Sequence, residues 1–309
     1  MVKLDVLFLF HKNFRVCRKN LIRLRNLNEN LRVFALYGGP LSEANRARKT
    51  FQNLVDDFYV YKYEKDPIWK WKNLDQMVAT WFVDKGQDLD WKTILIMHWD
   101  MLILAPLQNL FFELQPGEIL LSGLRPISTV SSWWPLADPN DSDLLSFKKL
   151  LHNKFNYEDE LYACLFIVVC YPRQFLEQYI LANHPEIGFL EYKIPTLANV
   201  FGIPFCKNHV FQPWWASNPA TKNVPMGERI LNAVSQEVPR TVIFKELLKK
   251  DGHRLFHPVF KNYPYCIENR HIALTLFYFY HFIEILSNLL KRLKYIIQYI
   301  CHKLMGNRS

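Results

Sequence analysis

Glycine is scarce, with ten in 309 residues, and no glycine-rich phosphate signature is present. The lack of a Walker loop and of G-x-G-x-x-G argues against a P-loop NTPase or a dinucleotide enzyme. No G-x-S-x-G nucleophile elbow occurs either, which removes that route to acyl transfer. The six cysteines (Cys17, Cys164, Cys170, Cys206, Cys266 and Cys301) are scattered without a C-x-x-C pair, so no zinc site is expected from them. There is no internal repeat and no low-complexity tract. The apolar run at residues 4–10 stands ahead of a basic stretch, the reverse of a signal peptide's order, and no small-residue cleavage site follows it. It reads as a first buried strand, and reduced thiols in a cytoplasmic compartment are the expectation.

About half of the chain is hydrophobic and 15% is aromatic, enough for one large core, while 22% charged residues exclude a polytopic membrane protein or a disordered chain. The net charge of +9 suits nucleic acid, anionic lipid or a phosphorylated small molecule. The basic residues are dispersed. The stretch at 12–25 is patterned as a helix with a solvated face, and no basic surface with interleaved aromatics emerges, so no nucleic-acid partner is expected.

Residues 4–10, 31–36, 57–63 and 93–97 have strand character, and 15–28, 42–54 and 74–85 have helical spacing, with Ser42 as a candidate cap. The alternation predicts an α/β fold, a mostly parallel central sheet flanked by helices, with ligands beyond the carboxyl ends of the strands. Further on, 118–122 reads as a strand, 172–181 as a helix, 184–195 as a loop, 196–201 as a short helix and 242–251 as a helix. A long helix without Pro or Gly covers 271–304. The expected division is a catalytic domain at 1–265 and a basic amphipathic helix within 266–309.

The most informative segment is the apolar strand that runs into His98-Trp99-Asp100 and is followed by a second apolar run to Pro106. A carboxylate between such runs is desolvated unless it is paired or binds a cation. At the end of a central strand, Asp100 either holds a divalent metal on a diphosphate or caps the next turn. This segment resembles the GT-A glycosyltransferases, whose Asp-x-Asp motif, or a variant such as Glu-Trp-Asp, ends an apolar strand. His98 stands where the first acid would be, which leaves metal dependence open. The resemblance spans roughly residues 3–260 and implies a GT-A-like sheet and a nucleotide-sugar donor. It also implies Mn2+ or Mg2+ on Asp100, and a glycan or glycolipid acceptor.

Two more positions continue the resemblance. In Gly188-Phe189-Leu190-Glu191-Tyr192-Lys193, Glu191 occupies the place of the general base of inverting members, with Glu186 as the near alternative. Pairing of Glu191 with Lys193 is the bland reading. In Phe256-His257-Pro258, His257 matches a histidine that contacts metal or diphosphate, or it is structural. His11, Lys72, Asn73, His98 and Trp99 are candidate donor contacts. Gly38 and Gly39 follow the second strand, where they permit close backbone approach or simply turn the chain. Arg125 is placed to meet phosphate. Trp133 and Trp134 form a sugar platform or lie buried.

In the C-terminal helix His281, Glu284, Ser287, Asn288, Lys291, Tyr295, Gln298 and His302 draw one polar stripe down an apolar cylinder. Interrupted in this way, it is expected to lie in a membrane interface rather than span it. The alternatives are packing on its own domain or on a second subunit in a homo-oligomer. The leading expectation is a metal-assisted, inverting glycosyltransferase, cytoplasmic and peripheral on a membrane. The alternative is an inactive glycosyltransferase-like binding or assembly protein.

Overall fold

The computed structural model describes the chain except residues 1, 131–132, 134, 136–137, 139, 183–185, 217, 219–220, 235, 265–266, 268 and 307–309, and the side chains of 284, 288, 296 and 298–306. β1 (Leu4–Phe10) leads into α1 (Phe14–Leu27), β2 (Val33–Tyr37) into α2 (Ala44–Phe51), and β3 (Asp57–Val60) into α3 (Pro67–Lys72) and α4 (Leu74–Asp84). β4 (Thr93–His98), β5 (Leu102–Ile103), α5 (Leu107–Leu110), β6 (Leu120–Leu121) and β7 (Arg125–Pro126) follow. Then come α6 (Ser142–Phe155), β8 (Tyr162–Ala163), β9 (Val169–Pro172), α7 (Arg173–Leu181) and α8 (Leu190–Val200). The chain ends through α9 (Arg240–Leu248), β10 (Leu255–Phe256) and α10 (Arg270–Gly306).

The central sheet has six strands in the order β3-β2-β1-β4-β9-β6. β3, β2, β1 and β4 are parallel, and β9 runs antiparallel to both of its neighbours. Every residue of β1 and β2 is buried, as expected for strands covered on both faces by crossover helices. The fold is therefore mixed α/β with a mostly parallel sheet, flanked by helices, and a long C-terminal helix. The chain order places β2 on one side of β1 and β4 on the other, so the connections diverge there. A crevice opens beyond the carboxyl ends of strands at such a switch point.

Local differences from the sequence expectations have local causes. Ser42 does not cap a helix: it lies in a 3-10 turn, Leu41–Glu43, ahead of α2. The expected loop before 196 is in fact helical from Leu190, and Pro195 sits inside α8. A proline removes the hydrogen bond to the carbonyl four residues back. That carbonyl belongs to Glu191, and it accepts instead from Cys164 N–H at 2.8 Å. The helix survives because the freed acceptor is satisfied from another element.

Lys193, one residue past Tyr192 in α8, turns inward. Its ammonium lies 2.6 Å from Asp75 of α4, with both side chains almost fully buried. Tyr179 of α7 donates to the same carboxylate. Lys193→Met should lower unfolding stability by about 3 kcal/mol, because it strands a buried carboxylate. Urea denaturation checks this, and a loss under about 1 kcal/mol would mean that Asp75 finds another partner or a proton.

The chain packs as two units, 1–238 with 254–262, and 239–253 with 263–309. In the second unit α9 packs on the first turns of α10, where Phe244 stacks on Tyr280 at 5.7 Å. Beyond those turns several apolar side chains of α10 are exposed, among them Phe282, Leu290 and Leu293. By length and composition alone, Arg270–Tyr295 would also reach across a membrane.

Candidate active site

The carboxyl ends of β1, β2, β3 and β4 open on a cavity of about 720 Å3 within the first unit. Register explains who meets there. Leu9 pairs with His98, and Phe10 with Tyr37. Continuing past the strand ends brings His11, Gly38 and Asp100 to one edge, and Gly38 N–H donates to the Phe10 carbonyl at 2.9 Å. A Cβ on Gly39 would stand 2.6 Å from the His11 carbonyl, so glycine is required for the backbone to pass this close.

His257 arrives from a distant part of the chain. β10 pairs antiparallel with β5, Phe256 opposite Leu102. This ladder lays the next residues alongside Asp100, whose carbonyl accepts from Val259 N–H at 2.8 Å. His257 Nε2 ends 3.4 Å from Asp100 Oδ1. Its Nδ1 is 2.8 Å from the Asn232 carbonyl. A carbonyl only accepts, so Nδ1 carries a proton, and Nε2, which faces the carboxylate, either donates a second proton to it or offers a lone pair to a shared cation. Two such donors share either a proton or a cation. Burial opposes charge on both groups, yet their mutual attraction prevails: Asp100 titrates below and His257 above its ordinary value.

The pair also fits a divalent ion. Bonds of about 2.1 Å meeting at a right angle need donors about 3.0 Å apart, a few tenths of an ångström from the observed spacing. Among the described residues no group of three or more His, Cys, Asp and Glu is placed to hold a metal ion. The arrangement suits an ion that completes its shell with water and phosphate oxygens.

His98 also lines the cavity, its ring edge-on to His257 and to Phe166, each 6.0 Å between centroids. Burial and the adjoining His257 lower its pKa to about 4, so it is neutral. Its Nε2 has no partner within the protein. Trp99 stacks on Phe260 at 5.6 Å, with Lys12 Nζ 5.1 Å above its ring. Solvent still reaches His11, but desolvation within the cavity, and then the Lys12 charge, lower its pKa to about 4.

Glu191 lines the same cavity from the first turn of α8. Its Oε1 accepts from Phe166 N–H at 2.9 Å. Burial raises its pKa to about 8 despite that hydrogen bond. The bland pairing with Lys193 is not formed, because Lys193 is engaged by Asp75. Glu186 lies at the protein surface and pairs with Lys65 at 3.0 Å.

The sequence candidates thus separate. His11, His98, Trp99, Asp100, Glu191 and His257 line one cavity. Lys72 and Asn73 do not: Asn73 is buried between α3 and α4, its amide donating to the Trp69 carbonyl at 3.1 Å. Trp133 is buried against Phe189 and Trp215, one ring away from the wall. Trp134 lies outside the described residues. Arg125 lies over the Trp215 ring, at 5.2 Å, away from the cavity.

Sequence reasoning overlooked Lys70 and Trp71, which line the wall from α3. The signal was present in Asp66-Pro67. Proline opens this helix, and Asp66 Oδ1 caps it, accepting from Ile68 and Trp69 N–H at 2.9 and 3.0 Å.

No protein-family model and no curated protein matches this chain. Solved structures similar to it include the apo structure of WbbM, a bifunctional glycosyltransferase. That likeness has 12% identity and a TM-score of 0.38 over 72% of this chain and 41% of that one, so this chain spans well under half of WbbM. Mouse xyloside xylosyltransferase 1 in its apo form is similar at 14% identity and a TM-score of 0.31, over 66% of this chain and 78% of that one. A cytidylyltransferase from Leptospira borgpetersenii serovar Hardjo-bovis (strain JB197) is similar at 10% identity and a TM-score of 0.34, over 64% and 71%. Likeness this distant carries no chemistry with it, since one fold hosts many activities and function resides in the site.

Proposed function

We propose that this protein is a glycosyltransferase that moves a sugar from a nucleotide-diphosphate donor to a hydroxyl of a glycan or lipid-linked saccharide, with inversion. The observation that carries the reading is the convergence of Asp100, His257 and Glu191 on one cavity at the switch point of the parallel strands. Asp100 and His257 would hold Mn2+ or Mg2+, which when bound offsets charge on the departing diphosphate. His11, His98 and Trp99 border the donor. Glu191 takes the proton of the acceptor hydroxyl. The acceptor oxygen bonds to the anomeric carbon as the carbon–oxygen bond to the diphosphate breaks, and the diphosphate leaves with the electron pair.

A panel of nucleotide-sugars, each with and without Mn2+, tests the reading through release of free nucleotide. Turnover of one donor is the expected result. No turnover and no nucleotide binding across the panel would replace it with a non-catalytic assembly role.

The second unit suggests where the acceptor is met. Residues 285–309 contain no Asp or Glu but hold Lys291, Arg292, Lys294, Lys303 and Arg308. With the exposed apolar face of α10, this composition favours an anionic bilayer surface. Vesicles rich in phosphatidylserine should carry the protein to the top of a flotation gradient. Replacing Lys291, Arg292 and Lys294 with Gln should weaken that binding by about a hundredfold, at about 1 kcal/mol per charge. Equal flotation on neutral vesicles would leave only apolar insertion.

A further inference from the structure

The cavity holds two ammonium groups that no part of the proposed reaction uses. Lys12 follows β1 and is held over the Trp99 ring, its ammonium 5.1 Å from the ring centroid. Lys70, on α3, donates to the Gly38 carbonyl at 2.8 Å. Among the described residues neither lysine has a carboxylate within ion-pairing distance, whereas Lys65, which also lines the cavity, is taken by Glu186.

His11 lines the same cavity; after desolvation, the Lys12 charge and, more weakly, the Lys70 charge depress its proton affinity, with Asp100 acting in the opposite direction. The backbone of Gly38 and Gly39 lines the same cavity, with Gly39 packed on the His11 carbonyl and no room there for a Cβ, and with the Gly38 carbonyl accepting from Lys70. The carboxylates on the wall are each otherwise engaged, protonated or exposed. Asp100 is engaged with His257, Glu191 is largely protonated at neutral pH, and Glu64 is exposed at the rim.

We propose that Lys12 and Lys70 form an anion subsite for the diphosphate of the donor, floored by Gly38–Gly39 and His11, which holds nucleoside diphosphate without a divalent metal. The choice of ligand rests on the glycosyl-transfer reading. The subsite itself rests on two ammonium groups that line a common cavity and have no carboxylate partner among the described residues. It fits a ligand with two adjacent phosphates, because one ammonium contacts each end and Lys donates as a point charge in any direction. A chain with His98 where a second metal-binding acid would stand has its compensating charge here.

Calorimetric titration of the full chain in excess chelator tests this, with nucleoside diphosphates, inorganic pyrophosphate and a phosphate-free nucleoside as probes. Both diphosphate probes should bind without metal, and binding should weaken as salt rises. Lys12→Gln and Lys70→Gln should each weaken Kd by about tenfold, and together by about a hundredfold. Lys148→Gln, on α6 and outside this cavity, should leave Kd unchanged. Unliganded melting temperatures within a degree or two of the parent show that the variants fold.

Undiminished diphosphate binding in the double variant overturns the proposal, as does binding that needs metal throughout. Pyrophosphate binding lost in the double variant, in a protein that turns over no nucleotide-sugar, would keep the subsite and remove the glycosyl-transfer reading.

Discussion

Asp100→Ala should abolish donor turnover, by about 10^3-fold or more, while the protein stays folded. The expectation follows from placement. Asp100 stands two residues past the end of β4, its Oδ1 3.4 Å from His257 Nε2, on the wall of the cavity. Without the carboxylate no cation can be shared there, and charge developing on the leaving group loses its counterpart. Initial rates of nucleotide release, with Mn2+ varied, measure the loss. Asp100→Asn keeps the side-chain shape and should be about as damaging. If the Asn variant kept turnover within about threefold of the parent, the negative charge would be irrelevant and the pair would be only a tether for the segment carrying His257.

Glu191→Gln should lower turnover by about 10^2- to 10^4-fold, the usual range for removal of a general base. Glutamine retains an acceptor oxygen for Phe166 N–H, so the loop carrying Cys164 and Phe166 stays anchored and only proton acceptance is lost. With burial raising the Glu191 pKa to about 8, the fraction able to accept a proton grows with pH. kcat/KM of the parent should therefore rise toward a midpoint near 8, and the residual activity of the variant should lack that limb. Parent-like turnover in the variant would assign Glu191 to loop anchoring alone.

The same group affects stability in a direction that can be worked out. Its pKa is raised in the folded state from an ordinary 4.5 to about 8. Below pH 4.5 both states hold the proton and its full contribution is present. Between pH 4.5 and 8 the unfolded chain releases the proton and the folded chain keeps it, so the contribution falls as pH rises, by at most about 1.4 kcal/mol per pH unit. Above pH 8 it is gone. Glu191→Gln cannot titrate, so its stability relative to the parent should increase steadily over this window in denaturant melts.

Much of the fold is legible along the chain. The apolar runs of β1, β2 and β4, interrupted in β1 by Asp5, have the length and residue types of strands buried on both faces. The helical spacing between them forces parallel crossovers, and a sheet so built has a ligand edge at its carboxyl ends. His11, Gly38 and Asp100 fall at that edge because strand ends are local features of a sequence. The long α10 is equally local, since thirty-seven residues of α-helix need only the absence of breakers.

The remainder depended on contacts between segments far apart in sequence, which no local pattern encodes. His257 meets Asp100 only because the short β10 pairs with β5, and two-residue strands leave no periodic trace. Pro195 read as the last residue of a loop, yet the helix already runs through it from Leu190, because Cys164, from another element, satisfies the Glu191 carbonyl. The titration of Glu191 was set in the same way. Its charge is disfavoured by whatever walls surround it, and those walls come from elements that meet only after the chain has folded. Lys72 and Lys70 illustrate the same division. Both stand on α3, two residues apart, and helical geometry points them in different directions, so only the packed structure turns Lys70 to the cavity.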